Sequence, residues 1–393
     1  MVRADPRPEA EGQGAPPDDG DVVVTHADTR KLFTYHPALD GIRAISILAV
    51  MLYHSGLIHG GFLGVDVFFT LSGFLITTLL LEEHALTGDI SLRDFYLRRA
   101  LRLLPALVPV VVVSGVAMIA NAGSARVVGM SLFVLAVIFY VANWAAIAGL
   151  PQGMLGHAWS LSIEEQFYLV WPPVLALLLR RLRARWLLVA ALLLATAGSI
   201  LLRYYLAVGG ATGRRFYLGT DAHADPILIG CVTACLVSWG YVQVGTDPSP
   251  RARRWHAAAL AAAAALLAML VLARLPDDYA RRGASTIVAV AAAILIMDVL
   301  RPGSLLAPLL AWPPLVWIGK RSYALYLWHL PVFFLAGALW ASSLLEYLPS
   351  RIVPAWAVTF AIAAASYRWI EAPALRLKSR VAARPPDRVP AGL

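Results

Sequence analysis

The 393-residue sequence is short of charge: Asp, Glu, Lys and Arg make up 15% of it, against 59% hydrophobic residues. A soluble domain carries about 25% charged residues, so the side chains that would solvate a globular surface are missing. That excludes a soluble fold and points to an all-α polytopic membrane protein. Cysteine is scarce as well. Cys231 and Cys235 stand one helical turn apart in an apolar run, where they pack as small hydrophobes rather than build a disulfide or a metal centre. No bound metal and no tightly bound cofactor is expected. The opening residues lack the pattern of a signal peptide. Met1 to Lys31 is rich in Pro, Gly, Asp and Glu without apolar periodicity, so residues 1–35 are expected to form a disordered cytoplasmic tail. Residues 379–393 are expected to be a short basic cytoplasmic tail, with no fused soluble domain. An inverted internal repeat of the transporter kind is not visible. The net charge of +9 then reads as loop asymmetry and not as nucleic-acid binding.

What is present is a series of apolar windows of about twenty residues, each a candidate span. Eleven hydrophobic segments fall near residues 42–58, 62–81, 103–122, 127–147, 161–180, 185–206, 222–241, 255–273, 284–300, 321–341 and 352–371. Basic clusters mark cytoplasmic loops. They occur at Arg93 to Arg102, Arg180 to Arg185, Arg251 to Arg254, Arg301 with Lys320 and Arg321, and Arg376 to Arg384. With the amino terminus inside, a full crossing by 127–147 would strand the Arg180 to Arg185 cluster outside and invert every later loop. The economical solution makes 127–147 a re-entrant or interfacial segment. That leaves about ten crossings within a membrane domain at 36–378, with both termini cytoplasmic.

Against this apolar background the ionisable residues stand out, because a charge inside a membrane helix marks a site by default. The organising stretch is Tyr35 to Ser55, YHPALDGIRAISILAVMLYHS. Arg43 and His54 are eleven positions apart, close to three helical turns, so they share one face about 16 Å apart along the axis. Arg43 either serves a site or snorkels and pairs with Asp40; His54 either acts in a site or bonds a neighbouring helix. In GGFLGVDVFFTLSGFLIT, Asp66 and Ser72 lie among aromatics and small residues. The glycines allow close helix approach. A carboxylate at this depth needs a partner, His54 or Arg43, unless Asp66 caps its own helix.

Further along, FYLRRALRLLPAL sets Arg99 and Arg102 on one helix face, suited to phosphate or to anchoring on anionic lipid. HAWSLSIEEQFYLVWPP carries His157, Trp159, Glu164 and Glu165. Ser162 and Glu165 have capping-box spacing, which accounts for Glu165 and leaves Glu164 facing a site; His157 is either a site or a loop residue. WIGKRSYALYLWHLPV puts Ser322, Tyr326 and His329 on one face, as site residues, interface markers or filling for a polar gap. Glu371 is expected to pair with an arginine. Taken alone, these residues fit an intramembrane enzyme, a proton-coupled transporter or exporter, and a non-catalytic partner that carries a glycan or lipid.

The combination of LDGIRAISILAVMLYH, GVDVFFTLSGFLIT, RRALRLLPAL, WSLSIEEQFYLVWP and SYALYLWHLPV, running from His36 to Pro373, resembles the bacterial membrane acyltransferase 3 family. That resemblance implies a ten-crossing core in the bacterial plasma membrane. It also implies transfer of an acyl group, most simply acetyl, from acyl-CoA to a hydroxyl of a glycan, a lipid-linked saccharide or a macrolide-type metabolite. The family's arginine-ten-residues-histidine motif falls on Arg43 and His54, with His54 catalytic. Its paired-arginine motif falls on Arg99 and Arg102, which handle the acyl-CoA, and its acidic helix motif on Glu164 and Glu165. On this basis His54, Asp66, Glu164 and Glu165 are the expected catalytic set. Arg43, Arg99 and Arg102 are expected to bind the donor, and Ser72, His157, Trp159, Tyr326 and His329 to line the substrate path. Asp66 or Glu164 is expected to orient the imidazole of His54.

Overall fold

The computed structural model describes residues 35–121, 123–182, 184–241, 250–273, 283–337 and 348–382. The tail expected over 1–35 (Tyr35 apart), Arg183 of the second basic cluster, the last residues of the 321–341 segment and everything past 382 lie outside the described residues. Every regular element among the described residues is helical.

The chain enters at α1 (Pro37–His54), with Pro37 at the first helical position and Asp40 in the first turn. Both are favoured there, because the first turn leaves N–H groups unbonded and carries positive dipole. A short turn of helix leads into α2 (Gly64–Thr87), which stops at Gly88, φ 79°, the left-handed ending glycine adopts without a Cβ penalty. Ser91 then caps α3 (Leu92–Ala120), its Oγ accepting the Asp94 N–H at 3.4 Å. After α4 (Ser124–Ile138) the chain turns sharply at Tyr140, which sits at φ 54°, and resumes as α5 (Ala142–Ile147). Next come α6 (Ala158–Arg181), α7 (Arg185–Val208), α8 (Gly213–Leu218), α9 (Asp225–Ser238), α10 (Pro250–Leu272) and α11 (Ala284–Val299). The short α12 (Ala307–Leu310) and α13 (Pro313–Lys320) precede α14 (Ser322–Leu335). Finally α15 (Val353–Ser366) passes through a widened turn at Tyr367–Glu371 into α16 (Ala372–Ala382).

Among the described residues four helices are long and apolar enough to cross a membrane: Gly61–Thr87, Leu92–Ala120, Arg185–Val208 and Arg254–Leu272. Shorter apolar helices lie at Arg126–Ile138, Asp225–Ser238, Ala284–Val299 and Ser322–Leu335. The protein is therefore a membrane-spanning helical bundle. Sequence windows near twenty residues overstate regular length, since they include apolar turns; a helix of fourteen residues rises about 21 Å, short of a hydrocarbon core of about 30 Å. The segment 127–147 is a bent pair of helices rather than one rod.

Of the long helices α2 is the most enclosed, whereas α7 and α10 are mostly on the outside. Small residues let it be central. A Cβ on Gly73 would stand 2.0 Å from the Ile227 carbonyl oxygen, and one on Gly230 2.1 Å from that of Thr70. The backbones of α2 and α9 thus touch, as small-residue interfaces permit in lipid. Trp171 on α6 donates its indole N–H to Thr77 Oγ1 on α2 at 2.9 Å. The core built on these contacts includes Met51, Phe69, Ile163, Leu325 and Phe333. It brings α1, α2, α6 and α14 together.

Candidate functional site

Four helices and the start of α3 enclose a cavity of about 160 Å³. At one end stand Arg43 of α1, Arg99 and Arg102 of α3, Leu79 of α2 and Ser322 of α14. Toward the other lie Val65, Phe68 and Phe69 of α2, Ser160 of α6 and Tyr326 of α14, with Ser72, Glu164, Tyr168 and Tyr323 between. The cavity's long direction follows the helices. Among the lining residues three guanidiniums face one carboxylate, a cationic wall suited to an anionic ligand. None of the three arginines forms an ion pair among the described residues.

The guanidiniums are held by other means. Arg43 Nε donates to Ser322 Oγ at 3.2 Å, and not to Asp40, which accepts the Tyr35 hydroxyl at 2.7 Å. Arg99 lies over the Tyr168 ring, 4.1 Å from its centroid, a cation–π contact that fixes the head group without neutralising it. Glu164 Oε1 accepts a short hydrogen bond from Ser72 Oγ, with the Tyr168 hydroxyl at 3.4 Å. Tyr323 donates to the Leu103 carbonyl at 3.0 Å, tying α14 to α3.

Past the Tyr326 end, three histidines meet. Tyr326 lines the cavity, makes a 2.5 Å hydroxyl contact with Ser160 and donates to the His157 carbonyl at 2.9 Å. Its ring packs 5.2 Å from His157 and 5.5 Å from His329. His329 is buried. Its Nε2 is 3.3 Å from His54 Nδ1, which is also 2.9 Å from the Val50 carbonyl. His157, likewise buried, stands 5.3 Å from His329, ring to ring. The sequence spacing that set Arg43 and His54 at the two ends of α1 therefore sets a guanidinium cavity at one end and an imidazole cluster at the other.

Several side chains have partners other than those expected. Asp66 was expected to meet His54 or Arg43; instead its Oδ1 is 2.7 Å from His223 Nε2, and both groups are buried. Glu164 does not orient His54 either, being bonded to Ser72 in the cavity. The capping box of Ser162 and Glu165 also fails to form. The helix starts four residues earlier, at Ala158, so Ser162 is interior: its Oγ donates to the Ala158 carbonyl at 3.0 Å and accepts the Ala142 N–H at 3.1 Å. That contact fastens the bent α5 to α6. Among the described residues Glu165 Oε1 is buried without a hydrogen-bond partner, and so is Oε1 of Glu371, which was expected to pair with an arginine. Trp159 is not in the cavity wall; it stacks on His223 at 6.0 Å and tilts over Tyr217 at 5.0 Å.

Sequence reasoning passed over His223, Tyr168, Ser160 and a buried ion pair. Arg203 of α7 grips Asp225 of α9 with bonds of 2.6 and 3.1 Å and reaches Thr286 of α11 at 2.7 Å. The signals were present: Arg203 interrupts an apolar window, and His223 and Asp225 sit at the mouth of another. Between the two windows, Arg215 of α8 holds Asp221 at 2.8 and 2.6 Å, and those bonds keep that carboxyl below the ordinary carboxylate range.

Fold and site together define an integral membrane protein with a cavity that is cationic at one end and has a cluster of three imidazoles just past the other. A family model described as an acyltransferase domain matches residues 36–368, and the chain belongs to that acyltransferase 3 family. It is 34% identical over 376 residues to a peptidoglycan O-acetyltransferase of Listeria monocytogenes, covering 88% of this chain and 56% of that protein. It is 34% identical over 352 residues to a provisionally named peptidoglycan O-acetyltransferase of Bacillus subtilis, with 86% and 55% covered. To a provisionally named O-acetyltransferase of Staphylococcus aureus it is 33% identical over 363 residues, with 87% and 58% covered. The chain thus spans just over half the length of these curated relatives. No solved structure matches it significantly.

Proposed function

We propose that the protein is an O-acyltransferase that takes an acyl group, most simply acetyl, from acyl-CoA and places it on an acceptor hydroxyl. The observation that carries this is a cavity with Arg43, Arg99 and Arg102 at one end and, at the other, Tyr326, whose ring packs against those of His157 and His329. CoA brings phosphates at one end and a thioester on a long flexible arm at the other. Its phosphates would sit against the guanidiniums, with Arg99 held over the Tyr168 ring, and the arm would run along the helices toward the histidines. The rise between Arg43 and His54, about 16 Å, suits such an arm.

His54 would be the general base. A carbonyl can only accept, so the contact of Nδ1 with Val50 O puts the proton on Nδ1 and the basic lone pair on Nε2. Nε2 would take the proton of the acceptor hydroxyl as its oxygen attacks the thioester carbonyl. The carbon–sulfur bond breaks, and the departing thiolate takes the proton from His54, giving ester and free CoA. Base catalysis of this kind is worth about 10²–10⁴-fold. The acceptor class favoured is a cell-envelope glycan, because two of the relatives are named for peptidoglycan; a lipid-linked saccharide or a macrolide-type metabolite shares the same hydroxyl chemistry. About ten crossings with both termini in the cytoplasm, in a bacterial plasma membrane, complete the proposal and bring a cytoplasmic donor to an outer acceptor.

The test is CoA release by the purified protein from acetyl-CoA, with acceptor pools from cell envelope and from macrolide extracts. Wild type should turn over only with an acceptor present. H54A should bind acetyl-CoA without turnover, and R99A/R102A should lose binding. An R99A/R102A protein that binds acetyl-CoA as wild type does would remove the donor site from this cavity. A protein that neither binds nor turns over any acyl-CoA would return the polar path to proton-coupled transport.

A further inference from the structure

The two carboxylates expected beside His54 are committed elsewhere, Asp66 to His223 and Glu164 to Ser72. What stands at His54 Nδ1 is a second imidazole. His329 Nδ1 is 2.7 Å from the Tyr326 carbonyl and 3.2 Å from that of Leu325. Two acceptors at one nitrogen require a proton there. In the neutral ring that leaves His329 Nε2 as a lone pair, and it points at His54 Nδ1, 3.3 Å away. The opposite arrangement, His329 donating from Nε2, would force a bare His54 Nδ1 against the Val50 carbonyl at 2.9 Å, lone pair to lone pair. The contacts are mutually consistent only when His54 Nδ1–H is shared between Val50 O and His329 Nε2.

We infer that His329 is the positioning residue for His54, the acceptor that holds the catalytic imidazole in its ring plane and stabilises the imidazolium formed when His54 takes the acceptor's proton. This inference rests on the acyltransferase reading and deepens it. In the base step the hydroxyl proton moves to His54 Nε2, and the charge that appears on the ring is met at Nδ1–H by the His329 lone pair. When the thiolate removes the proton, both rings return to their starting tautomers, so the step balances without any further group. A carboxylate usually fills this place in base-assisted acyl transfer. Here the apolar wall of α14 favours a neutral acceptor, which costs far less to bury than a charge. The ring is locked on every side: two carbonyls at Nδ1, His157 and Tyr326 at 5.3 and 5.5 Å, and Phe333 edge-on at 5.9 Å.

Two amide substitutions separate the two nitrogens. In H329Q the longer amide reaches the position of Nε2 and can present its oxygen to His54; in H329N the shorter amide reaches only Nδ1, where it can serve the carbonyls but not His54. H329F keeps a ring and removes both functions. The measurement is steady-state acyl transfer with acetyl-CoA and a productive acceptor, with acetyl-CoA affinity taken as the sign of an intact fold. H329N and H329F should lose about a hundredfold in kcat, with KM for acetyl-CoA within about twofold, whereas H329Q should keep kcat within about tenfold of wild type. Equal activity of H329Q and H329N, or an effect confined to KM, would overturn the inference and leave the acyltransferase reading standing. Wild-type protein inert toward every acyl-CoA would instead sink that reading, and this inference with it.

Discussion

At the scale of single residues, the cavity has a guanidinium end and an aromatic end. Arg99 is held by the face of Tyr168, 4.1 Å away, and a planar guanidinium both stacks and forks in a way an ammonium does not. R99K is therefore expected to raise KM for acetyl-CoA about tenfold while kcat stays within about twofold, the pattern of lost ground-state binding. A fall in kcat at unchanged KM would place Arg99 at the reacting atoms instead. At the other end, Phe68 and Tyr326 meet edge to face, 6.5 Å apart, where the acyl group would arrive. F68A opens that collar. Since one methylene in an apolar pocket is worth about 1–3 kcal/mol, the butyryl-to-acetyl ratio of kcat/KM should rise about tenfold or more; an unchanged ratio would mean that the acyl group lies elsewhere. Much of this arrangement was legible because Arg43 to His54, Arg99 to Arg102 and Ser322 to His329 are spacings within single helices, and helical geometry converts spacing directly into a shared face. The partner of Asp66 was not, because His223 is 157 positions away in sequence and depends on how α2 docks against α9.

At the scale of elements, regular length was the least legible property. Apolar windows say where the chain avoids water, but not where a helix bends, and the bend at Tyr140 is fixed by bonds no window contains. Gln166 donates to the Tyr140 carbonyl at 2.7 Å and to Asn143 Oδ1 at 3.0 Å, while Asn143 reaches the Leu218 carbonyl at 3.0 Å. The same blindness hid the Arg203–Asp225 clamp, which joins α7 and α9 to Thr286 on α11. Breaking a buried pair by removing one partner costs about 3–5 kcal/mol, whereas replacing both with apolar groups is often neutral. R203M and D225L are each expected to lower the melting temperature sharply in detergent, and the double variant R203M/D225L to recover most of the loss. If the double variant is as unstable as the sum of the two, the pair is not an isolated clamp, and Thr286 and the Ala222 carbonyl, 3.3 Å from Arg203, carry part of its role.

At the scale of the whole molecule, the guanidinium end and the histidine end of the site lie at opposite ends of the same helices, so the two substrates need not share a side of the membrane. The paired arginines belong to the start of α3, which follows the loop closed by Ser91 and the Glu83–Arg98 ion pair at 3.0 Å, and the proposed orientation puts that basic loop on the cytoplasmic side. Acyl-CoA does not cross a bilayer unaided. In sealed inverted vesicles, where the cytoplasmic face is outward, added acetyl-CoA should support transfer to an enclosed glycan acceptor. In sealed right-side-out vesicles the same acetyl-CoA should do nothing until the membrane is permeabilised. The reverse pattern would place the guanidinium cavity at the outer face and invert every loop in the chain. Equal activity in both, with vesicles shown to be sealed, would mean that donor and acceptor enter from one side, and the distance between Arg43 and His54 would then measure the depth of a blind pocket instead of a path across the membrane.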